Sequence, residues 1–406
     1  MKLVFLSREY PPETSWGGES VVIHNLSKAM AKCGHEIHVI CQANTQKKEV
    51  VQDGVIVHRV GNNSKRYSAV AKIDYSIFAY FKLLQIIKKR KIDLVDAPYW
   101  SAEGFLFSFT KQIPLVVRTQ SSPSDALRTK TFSGIMQFIN LKLLNMLAKI
   151  TAQKADKIIS NSINNSDRIQ KEINIKHEQI EIIHHGIDIE KYKHVVVERN
   201  ELKLPLTGPI ILHIGRLEAR KGILDFCNLI PVLQKQIGNI NFVFIGDDTF
   251  SSSVNGSFKN HLKKVSQIGN FYRNISFYSR ISEENIIKFY SVCDVFCFPS
   301  LHESFGLPII ESMAIGKPVV TTQTGIALKI QNYNLKGFLA VPIGDIEKLA
   351  LAIQKMINLS VFDKQMIANE NRKFICDHFS SIMWQRKFAQ CYETVISHAK
   401  QKTKPC

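Results

Sequence analysis

The sequence contains no apolar run long enough to cross a membrane and no closely spaced pair of cysteines. No segment of its 406 residues approaches about 18 consecutive apolar residues, the length that a spanning helix needs. The apolar run at residues 3–6 is too short for a signal peptide. Eight cysteines occur without a C-x-x-C pair, and Cys41, Cys293 and Cys297 lie inside apolar runs, which is typical of reduced, buried thiols rather than of disulfides or zinc ligands. These absences predict a cytoplasmic protein.

Compositional bias and short-period repeats are also lacking. With 45% apolar and 22% charged residues, the composition is that of an ordinary globular protein rather than of a disordered or fibrous one. The chain is about two to three times as long as a typical single domain, so we expect two domains with separate cores.

Acidic residues are scarce relative to basic ones, and the imbalance is local. The net charge is +18; residues 65–91 hold eight basic side chains against one acidic, and residues 128–157 hold six against one. Such clusters suit an anionic partner. Peripheral contact with an anionic membrane, at its inner face, or an acidic acceptor is favoured over nucleic acid, because no nucleic-acid motif accompanies the clusters. A solvated basic surface without a partner is the alternative.

Short β-branched or apolar runs alternate with amphipathic segments along the whole chain. This alternation predicts α/β architecture with parallel sheets, helices on both faces and ligands at the carboxyl ends of the strands. The expected strands of the first half are residues 2–7, 36–41, 55–60, 92–96, 115–119, 157–160 and 180–183, and those of the second half are 209–214, 241–245, 275–278, 295–298, 318–321 and 338–341.

A polar, charged stretch separates the two series of strands. We expect a first Rossmann-like domain at residues 1–190, a linker at 191–208, a second Rossmann-like domain at 209–375, and a C-terminal helical segment at 376–406 that packs back across the domains.

Residues 298–320, FPSLHESFGLPIIESMAIGKPVV, form the most informative stretch. A strand ends near Phe298 and a helix begins near Gly306, so the backbone N–H groups from Ser304 to Leu307 are free to bind a phosphate or another anionic oxygen. Glu311 follows one helical turn later, and a carboxylate in so apolar a run needs a polar partner, for which ribose hydroxyls would serve. The structural alternative makes Glu303 a helix-capping acid and Glu311 a surface residue.

The two glutamates, separated by seven residues, resemble the E-x7-E signature of the retaining GT-B glycosyltransferases, specifically family 4. The resemblance runs along nearly the whole chain. Gly34-His35-Glu36-Ile37, Gly186-Ile187-Asp188, Gly215-Arg216-Leu217 followed by Lys221-Gly222, and Phe244-Ile245-Gly246 occur in the order that the family shows. It implies a GT-B fold, in which two doubly wound Rossmann-like domains face each other across a cleft. The first would bind the acceptor and the second a nucleotide-diphosphate sugar.

In the second domain the resemblance implies the donor-binding residues. Arg216 and Lys221, after the turn at Gly215, would grip the diphosphate; both cations can strengthen their contacts as negative charge builds on the departing nucleotide. Glu303 would contact hydroxyls of the transferred sugar, and Glu311 would hold the ribose. The amides of Ser304, Phe305, Gly306 and Leu307 would lie near the sugar and the β-phosphate.

In the first domain, Gly17 and Gly18 resemble the glycine-rich loop that faces the cleft in the family, although plain turn glycines would read the same way. Two positions depart from the family pattern. Gln120 stands where many relatives have a histidine, so it keeps hydrogen bonding without imidazole proton chemistry. His184 and His185 precede Gly186 where Pro-Asn is common, and we interpret them as structural rather than as a metal site. Both departures indicate an altered donor preference or lost activity.

An apolar stripe at helical spacing runs through residues 135–150. Packing into the core is the default interpretation. The alternative is a basic amphipathic helix on a membrane, because Lys142, Lys149 and the basic residues of 82–91 could meet anionic headgroups.

The sequence therefore predicts a retaining hexosyltransferase that acts on a glycan or lipid-linked acceptor in the synthesis of bacterial cell-surface polysaccharide or glycolipid. No cofactor or metal is expected, because two cations and a helix N-terminus can neutralise the diphosphate. The alternatives are a nucleotide-sugar epimerase or phosphorylase on the same architecture, and a degenerate transferase that only binds its ligand.

Overall fold

A computed structural model of the protein describes residues 1–14, 18–43, 48–61, 69–120, 122–129, 135–251, 254–268, 274–279 and 281–402. The chain forms two compact units. The first consists of Met1–Gly186 together with Ser381–Cys406, and the second is Ile187–Ser380.

The first unit is built on an eight-stranded sheet. Its elements up to Gly186 are β1 Lys2–Leu6, α1 Gly18–Lys32, β2 Glu36–Gln42, β3 Lys48–Gln52, β4 Val55–Val60, α2 Ala69–Lys89, β5 Leu94–Pro98, α3 Phe105–Thr110, β6 Leu115–Thr119, α4 Pro123–Thr129, α5 Ile135–Gln153, β7 Lys157–Ser160, α6 Ile163–Ile173 and β8 Ile180–Ile182. The strand order is β3-β4-β2-β1-β5-β6-β7-β8, and every neighbouring pair is parallel except β3 with β4. The order reverses direction between β1 and β5, which makes the carboxyl ends of these two strands the expected ligand crevice.

The second unit is built on a six-stranded parallel sheet. Its elements are β9 Ile210–Ile214, α7 Ile223–Ile237, β10 Asn241–Ile245, β11 Phe250–Ser251, β12 Gly256–Ser257, α8 Phe258–Ile268, β13 Ile275–Tyr278, α9 Glu283–Val292, β14 Val295–Phe298, α10 Leu307–Ala314, β15 Val319–Thr322, α11 Ala327–Ile330, β16 Phe338–Val341, α12 Ile346–Ile357 and α13 Val361–Phe379. The strand order is β13-β10-β9-β14-β15-β16. Here the reversal lies between β9 and β14.

The segment expected to link the domains belongs to the second unit. Tyr192 and Leu204 are buried in the same apolar core as β9 and α10, and Arg372 of α13 donates to the Tyr192 and Ile189 carbonyl oxygens at 2.8 and 3.1 Å. Two buried side chains anchor a stretch that is otherwise polar. Its composition is therefore that of a linker although it packs against a core.

The C-terminal segment also divides differently from the expected boundary at 375/376. Helix α13 contributes Phe374, Ile375 and Phe379 to the core of the second unit. The last helix, α14 Ser381–Lys402, belongs to the first unit. It contacts α1, and its Tyr392 hydroxyl donates to Asp96 Oδ2 at 2.6 Å. The chain therefore returns to its first unit with its last helix.

Helix α5 buries a different face from the apolar stripe that the sequence suggests for the core. The buried residues are Leu144, Ala148, Thr151 and Ala152, whereas Ile135, Ile139, Leu143 and Met146 of the stripe are exposed. Small side chains let the helix approach its neighbours closely, as the Thr151 methyl does near Gly104. Packing of the whole stripe into the core is therefore wrong.

Candidate active site

The site residues of the second unit lie where the strand order reverses. Gly215, Arg216 and Lys221 follow β9, and Glu303 follows β14, so the two loops leave neighbouring strands at their carboxyl ends. Open α/β sheets bind their ligands at this position, because the two loops diverge there.

The loops after β9 and β14 are fastened to each other. The Leu301 amide donates to the Arg220 carbonyl oxygen at 2.9 Å, and the Ser300 hydroxyl oxygen lies 3.2 Å from the same oxygen. Gly222, in the left-handed region at φ +73°, starts α7 at this contact. A Cβ on Gly222 would overlap the Pro299 carbonyl oxygen, so only glycine lets the two loops meet.

Glu303 is a buried carboxylate surrounded by cations. Its Oε1 lies 2.5 Å from Lys221 Nζ and 3.5 Å from Arg220 Nη1, and it accepts a hydrogen bond from the Ser300 hydroxyl at 2.7 Å. Burial alone would raise the pKa of Glu303, but the Lys221 and Arg220 charges outweigh it and hold the pKa below its usual value. Glu303 is therefore ionised at neutral pH, and the structure brings it together with Lys221.

Arg216 stands apart from this ion pair. Its side chain is 61% exposed, and its Nη2 lies 3.4 Å from Glu218 Oε2. Glu218 also accepts from Arg220 Nη2 at 2.7 Å. The sequence did not predict a role for Arg220. Its position directly before Lys221 is the only feature that could have indicated one. The arrangement leaves Arg216 accessible to an anionic ligand while Lys221 is held by Glu303.

Two glycines shape the start of α10: Gly306, which the sequence predicted, and Gly325, which it did not. Gly306 precedes the helix at φ +101°, and no side chain caps it. Gly325 lies against this turn: a Cβ there would overlap the Phe305 carbonyl oxygen, which also accepts from the Ile326 amide at 2.7 Å. The only feature of the sequence that could have indicated Gly325 is its place as a single glycine after β15. Ser304 is partly buried and Phe305 is buried, and the helix itself begins at Leu307.

Glu311 occupies a separate environment one turn into α10. The Tyr290 hydroxyl donates to its Oε2 at 3.0 Å. Burial of the carboxyl group is the largest effect and raises the pKa of Glu311 to about 7, with the Glu283 charge acting in the same direction. Tyr192, from the segment expected to be a linker, lies close enough to hydrogen-bond this carboxyl group and also donates to Glu283 Oε1 at 3.0 Å.

The residues predicted in the first unit lie on separate segments of the chain. Gly18 is the exposed first residue of α1, whereas Gly17 lies outside the described residues. Gln120 follows β6, and its carbonyl oxygen accepts from Asn161 Nδ2 at 3.4 Å. Gly186 is buried at the end of the first unit's N-terminal segment.

The two histidines before Gly186 and the cysteines of the apolar runs are buried. His184 Nδ1 lies 2.9 Å from the Asn161 carbonyl oxygen, and burial lowers the pKa of His185 to about 3. Cys41, Cys293 and Cys297 are buried free thiols, as predicted.

Two absences can be reported for the described part of the chain. It contains no group of three or more His, Cys, Asp or Glu side chains that could hold a metal ion. None of its helices is both long and apolar enough to cross a membrane.

Comparison with solved structures defines the class of protein. The sucrose-phosphate synthase of Thermosynechococcus elongatus aligns with a TM-score of 0.79 at 20% identity, over 98% of this chain and 99% of that one. The Anabaena protein HepE, in complex with UDP and glucose, aligns with a TM-score of 0.73 at 20% identity, over 97% and 99% of the two chains. The protein has the GT-B fold of glycosyltransferases, which confirms the fold prediction.

Sequence comparison then gives the family. The model for glycosyl transferases group 1 matches residues 197–373, and the model for glycosyltransferase family 4 matches residues 16–191. CapM of Staphylococcus aureus, a capsular polysaccharide biosynthesis glycosyltransferase, is 25% identical over 393 residues, which cover 93% of this chain and 97% of CapM. The chain belongs to glycosyltransferase family 4 and is a glycosyltransferase, as the sequence predicted.

Proposed function

We propose that the protein is a retaining glycosyltransferase that transfers a hexosyl unit from a nucleotide-diphosphate sugar to a glycan or lipid-linked acceptor. The observation that carries the proposal is the ionised Glu303, paired with Lys221 at the strand-order reversal of the second unit, beside the uncapped start of α10. HepE, which shares the fold, binds UDP and glucose.

The geometry suits a donor diphosphate. Its oxygens would meet the exposed Arg216 guanidinium and the backbone N–H groups at the start of α10, which together supply positive charge without a metal. Lys221 would be shared between Glu303 and the phosphate. Glu303 would then accept hydrogen bonds from hydroxyls of the transferred sugar, and Glu311 would hold the ribose.

The transfer itself breaks the bond between the anomeric carbon and the phosphate oxygen. The acceptor oxygen forms its bond to the same face of that carbon, and the acceptor proton moves to the departing phosphate. Arg216, Lys221 and the helix start stabilise the negative charge that develops on the nucleotide diphosphate. Glu303 stays ionised throughout and needs no covalent role.

The test compares Lys221→Met with Lys348→Met, in which an exposed lysine of the same unit loses its charge. A panel of nucleotide sugars is first screened for thermal stabilisation of the wild type, and turnover of the best donor is then measured. Lys221→Met should lower turnover by about 100-fold or more, because one or two charge-assisted hydrogen bonds are lost. The control should turn over like the wild type. Wild-type turnover in Lys221→Met would contradict the proposed roles. Donor consumption without acceptor, giving an altered sugar, would indicate an epimerase.

We also propose that the first unit contacts an anionic membrane through an apolar face formed by α2, α3 and α5, which contact one another. Phe81, Phe109 and Met146 are each more than half exposed there. Basic side chains accompany them, as Lys154 Nζ lies 4.5 Å from the centre of the Phe109 ring. Exposed aromatic side chains flanked by lysines match the boundary between acyl chains and anionic headgroups.

Vesicle sedimentation tests this contact. The wild type should bind phosphatidylglycerol-containing vesicles in a salt-sensitive manner and bind phosphatidylcholine vesicles weakly. Phe81→Ser with Phe109→Ser should weaken the binding, whereas Phe362→Ser, an exposed position of the second unit, should not. Equal sedimentation of the double variant and the wild type would exclude this face.

A further inference from the structure

Glu103 occupies in the first unit the place that Glu303 occupies in the second. The first sheet reverses its strand order between β1 and β5, and Glu103 follows the last residue of β5 by five residues. The second sheet reverses between β9 and β14, and Glu303 follows the last residue of β14 by five residues. Each unit thus places a buried glutamate at its expected ligand crevice.

One oxygen of Glu103 is anchored and the other is not. The residue is 3% exposed, and Oε1 accepts a hydrogen bond at 2.9 Å from the amide of Arg8, two residues after the end of β1. Oε2 is buried without a hydrogen-bond partner among the described residues. A buried oxygen of this kind is costly unless a ligand or a water satisfies it.

Arg118, near the end of β6, presents a complementary pair of unused donors. Its Nε donates to Asp96, while Nη1 and Nη2 are buried without a partner in the described part of the chain. Asp96 is in turn held by the Tyr392 hydroxyl, so the guanidinium group is fixed in place. Pro98 at the end of β5 pairs with Arg118 of β6, so Arg118 lies beside the start of the loop that carries Glu103. The Arg118 charge also lowers the pKa of Glu103.

The backbone before Glu103 is strained. Ala102 is buried and adopts φ +51°, in the left-handed region. For alanine this conformation costs about 1–2 kcal/mol. Elsewhere in the described ranges, the non-glycine residues with positive φ are Asp53, Asn174, Lys203, Asn255 and Asn334. Strain of this kind persists where the surrounding structure requires one orientation, and it clusters at functional sites.

The surroundings favour a neutral ligand. Burial, reinforced by the Glu19 charge, raises the pKa of Glu103 to about 8, whereas the Arg8 amide and the Arg8 and Arg118 charges lower it. Tyr75 and Cys41 also lie within electrostatic range of Glu103. Glu103 is therefore mostly protonated at neutral pH, and the Arg118 charge is balanced by Asp96. An anionic ligand would face Glu19, whereas a hydroxyl oxygen can accept from both the guanidinium and the protonated carboxyl group.

We infer that Glu103 and Arg118 bind hydroxyl groups of a neutral sugar, and that this site receives the acceptor. The inference rests on the proposed function and adds to it the substrate class and two binding residues of the first unit. The sugar oxygen accepts from Arg118 Nη and from the Glu103 carboxyl proton, and Oε1 of Glu103 remains bonded to the Arg8 amide.

The experiment measures binding of methyl glycosides of glucose, galactose, mannose and N-acetylglucosamine by saturation-transfer-difference NMR between pH 6 and 9. Glu103→Met keeps the length of the side chain and removes its donor, whereas Glu103→Gln keeps both the acceptor for Arg8 and a donor for the sugar. Asp156→Asn is the control. Asp156 also accepts a hydrogen bond from a backbone amide, that of Leu115 at 2.8 Å, but it lies at the amino ends of the strands and so away from the expected crevice.

At pH 7 the wild type, the control and Glu103→Gln should bind a glycoside alike, and Glu103→Met should bind it about tenfold more weakly, as for one lost hydrogen bond. Above pH 8 the wild type should weaken while Glu103→Gln stays constant. Equal binding by Glu103→Met, or the same pH profile for Glu103→Gln and the wild type, would overturn the inference. Nucleotide-sugar affinity, measured in parallel, should be unchanged in all variants. If the wild type binds no nucleotide sugar, the proposed function fails; if only glycoside binding fails, this inference alone does.

Discussion

Glu303 and Glu311 lie on the same loop and helix, yet their surroundings move their pKa values in opposite directions. Both carboxyl groups are enclosed, which favours the neutral acid. Two cations reach Glu303 and reverse this effect, whereas Glu311 has the Tyr290 hydroxyl and the repelling Glu283 charge. Ionisation of Glu303 thus costs the folded state little free energy. Ionisation of Glu311 destabilises the protein until the ribose of a bound nucleotide sugar donates hydrogen bonds to it.

Glu311→Gln should therefore stabilise the protein and weaken donor binding. The pKa of Glu311 is about 7 in the folded state and about 4.3 when unfolded. The neutral Glu311 carboxyl group therefore contributes its full stability below pH 4.3, and this contribution is lost as the pH rises through 7. At pH 8 the variant should exceed the wild type in free energy of unfolding by up to about 4 kcal/mol, and the difference should vanish near pH 4.

Urea unfolding at several pH values measures this difference, in which all other titrating groups cancel. Glu347→Gln, at an exposed position of the same unit, is the control and should show no such trend. Nucleotide-sugar affinity should fall in Glu311→Gln alone. A pH-independent difference from the wild type would show that Glu311 does not titrate as described.

The sequence indicated the residues whose roles depend on local pattern and missed those that depend on distant contacts. Glu303, Lys221 and the start of α10 could be found from one motif and one strand end. Arg220 reaches Glu303 across 83 positions of the chain, and Gly325 matters only because Phe305 lies against it. Glu103 showed no signal, because the residues that act on it come from other segments: Arg8 follows β1 and Arg118 lies in β6. The assigned catalytic roles stay predictions.

At the scale of elements, the site depends on how closely the start of α7 approaches the loop after β14. Gly222→Ala should push this loop away, because the new Cβ would overlap the Pro299 carbonyl oxygen. The variant should lose stability by more than the 1–2 kcal/mol that the left-handed backbone alone costs an alanine, and it should lose nucleotide-sugar affinity.

Gly344→Ala is a matched control for this variant. Gly344 has nearly the same backbone conformation, at φ +77° against φ +73°, and its Cβ would meet no atom within 4 Å. Gly344→Ala should lose only the free energy of unfolding that the left-handed backbone costs an alanine, and it should bind nucleotide sugar like the wild type. Thermal unfolding with and without nucleotide sugar separates the two effects; equal losses in both variants would mean that the contact between the loops is unimportant.

Strands that carry a continuous apolar run were the easiest to predict. The expected strands 55–60, 115–119, 157–160, 241–245, 275–278, 295–298 and 338–341 match the observed bounds. Such runs are typical of central strands, and the edge strands β13 and β16 carry them as well. Strand β3 was missed because it is an edge strand, mostly exposed and antiparallel to β4, and it carries no apolar run. The buried face of α5 was misjudged because small residues, rather than its large apolar stripe, pack inward.

At the scale of the molecule, the first unit is discontinuous in sequence and the second is one continuous insert. Phe388 and Tyr392 of α14 are buried in the first unit, and Tyr392 holds Asp96 beside Arg118. The two ends of the second unit lie side by side, since the Ile187 amide donates to the Phe379 carbonyl oxygen at 2.8 Å. The chain thus leaves and re-enters the first unit at neighbouring points, about 5 Å apart as in adjacent strands.

Three fragments test this organisation. Residues 187–380 should fold alone and bind nucleotide sugar, because they contain a complete sheet, its core and the Lys221–Glu303 pair. Residues 1–186 should not unfold cooperatively, because removal of α14 exposes apolar core and leaves Asp96 without Tyr392. Residues 1–186 joined to 381–402 by a three-residue Gly-Ser linker should regain a cooperative transition, measured by circular dichroism. Cooperative unfolding of 1–186 alone, at the same temperature as the joined fragment, would show that α14 contributes nothing to the first core.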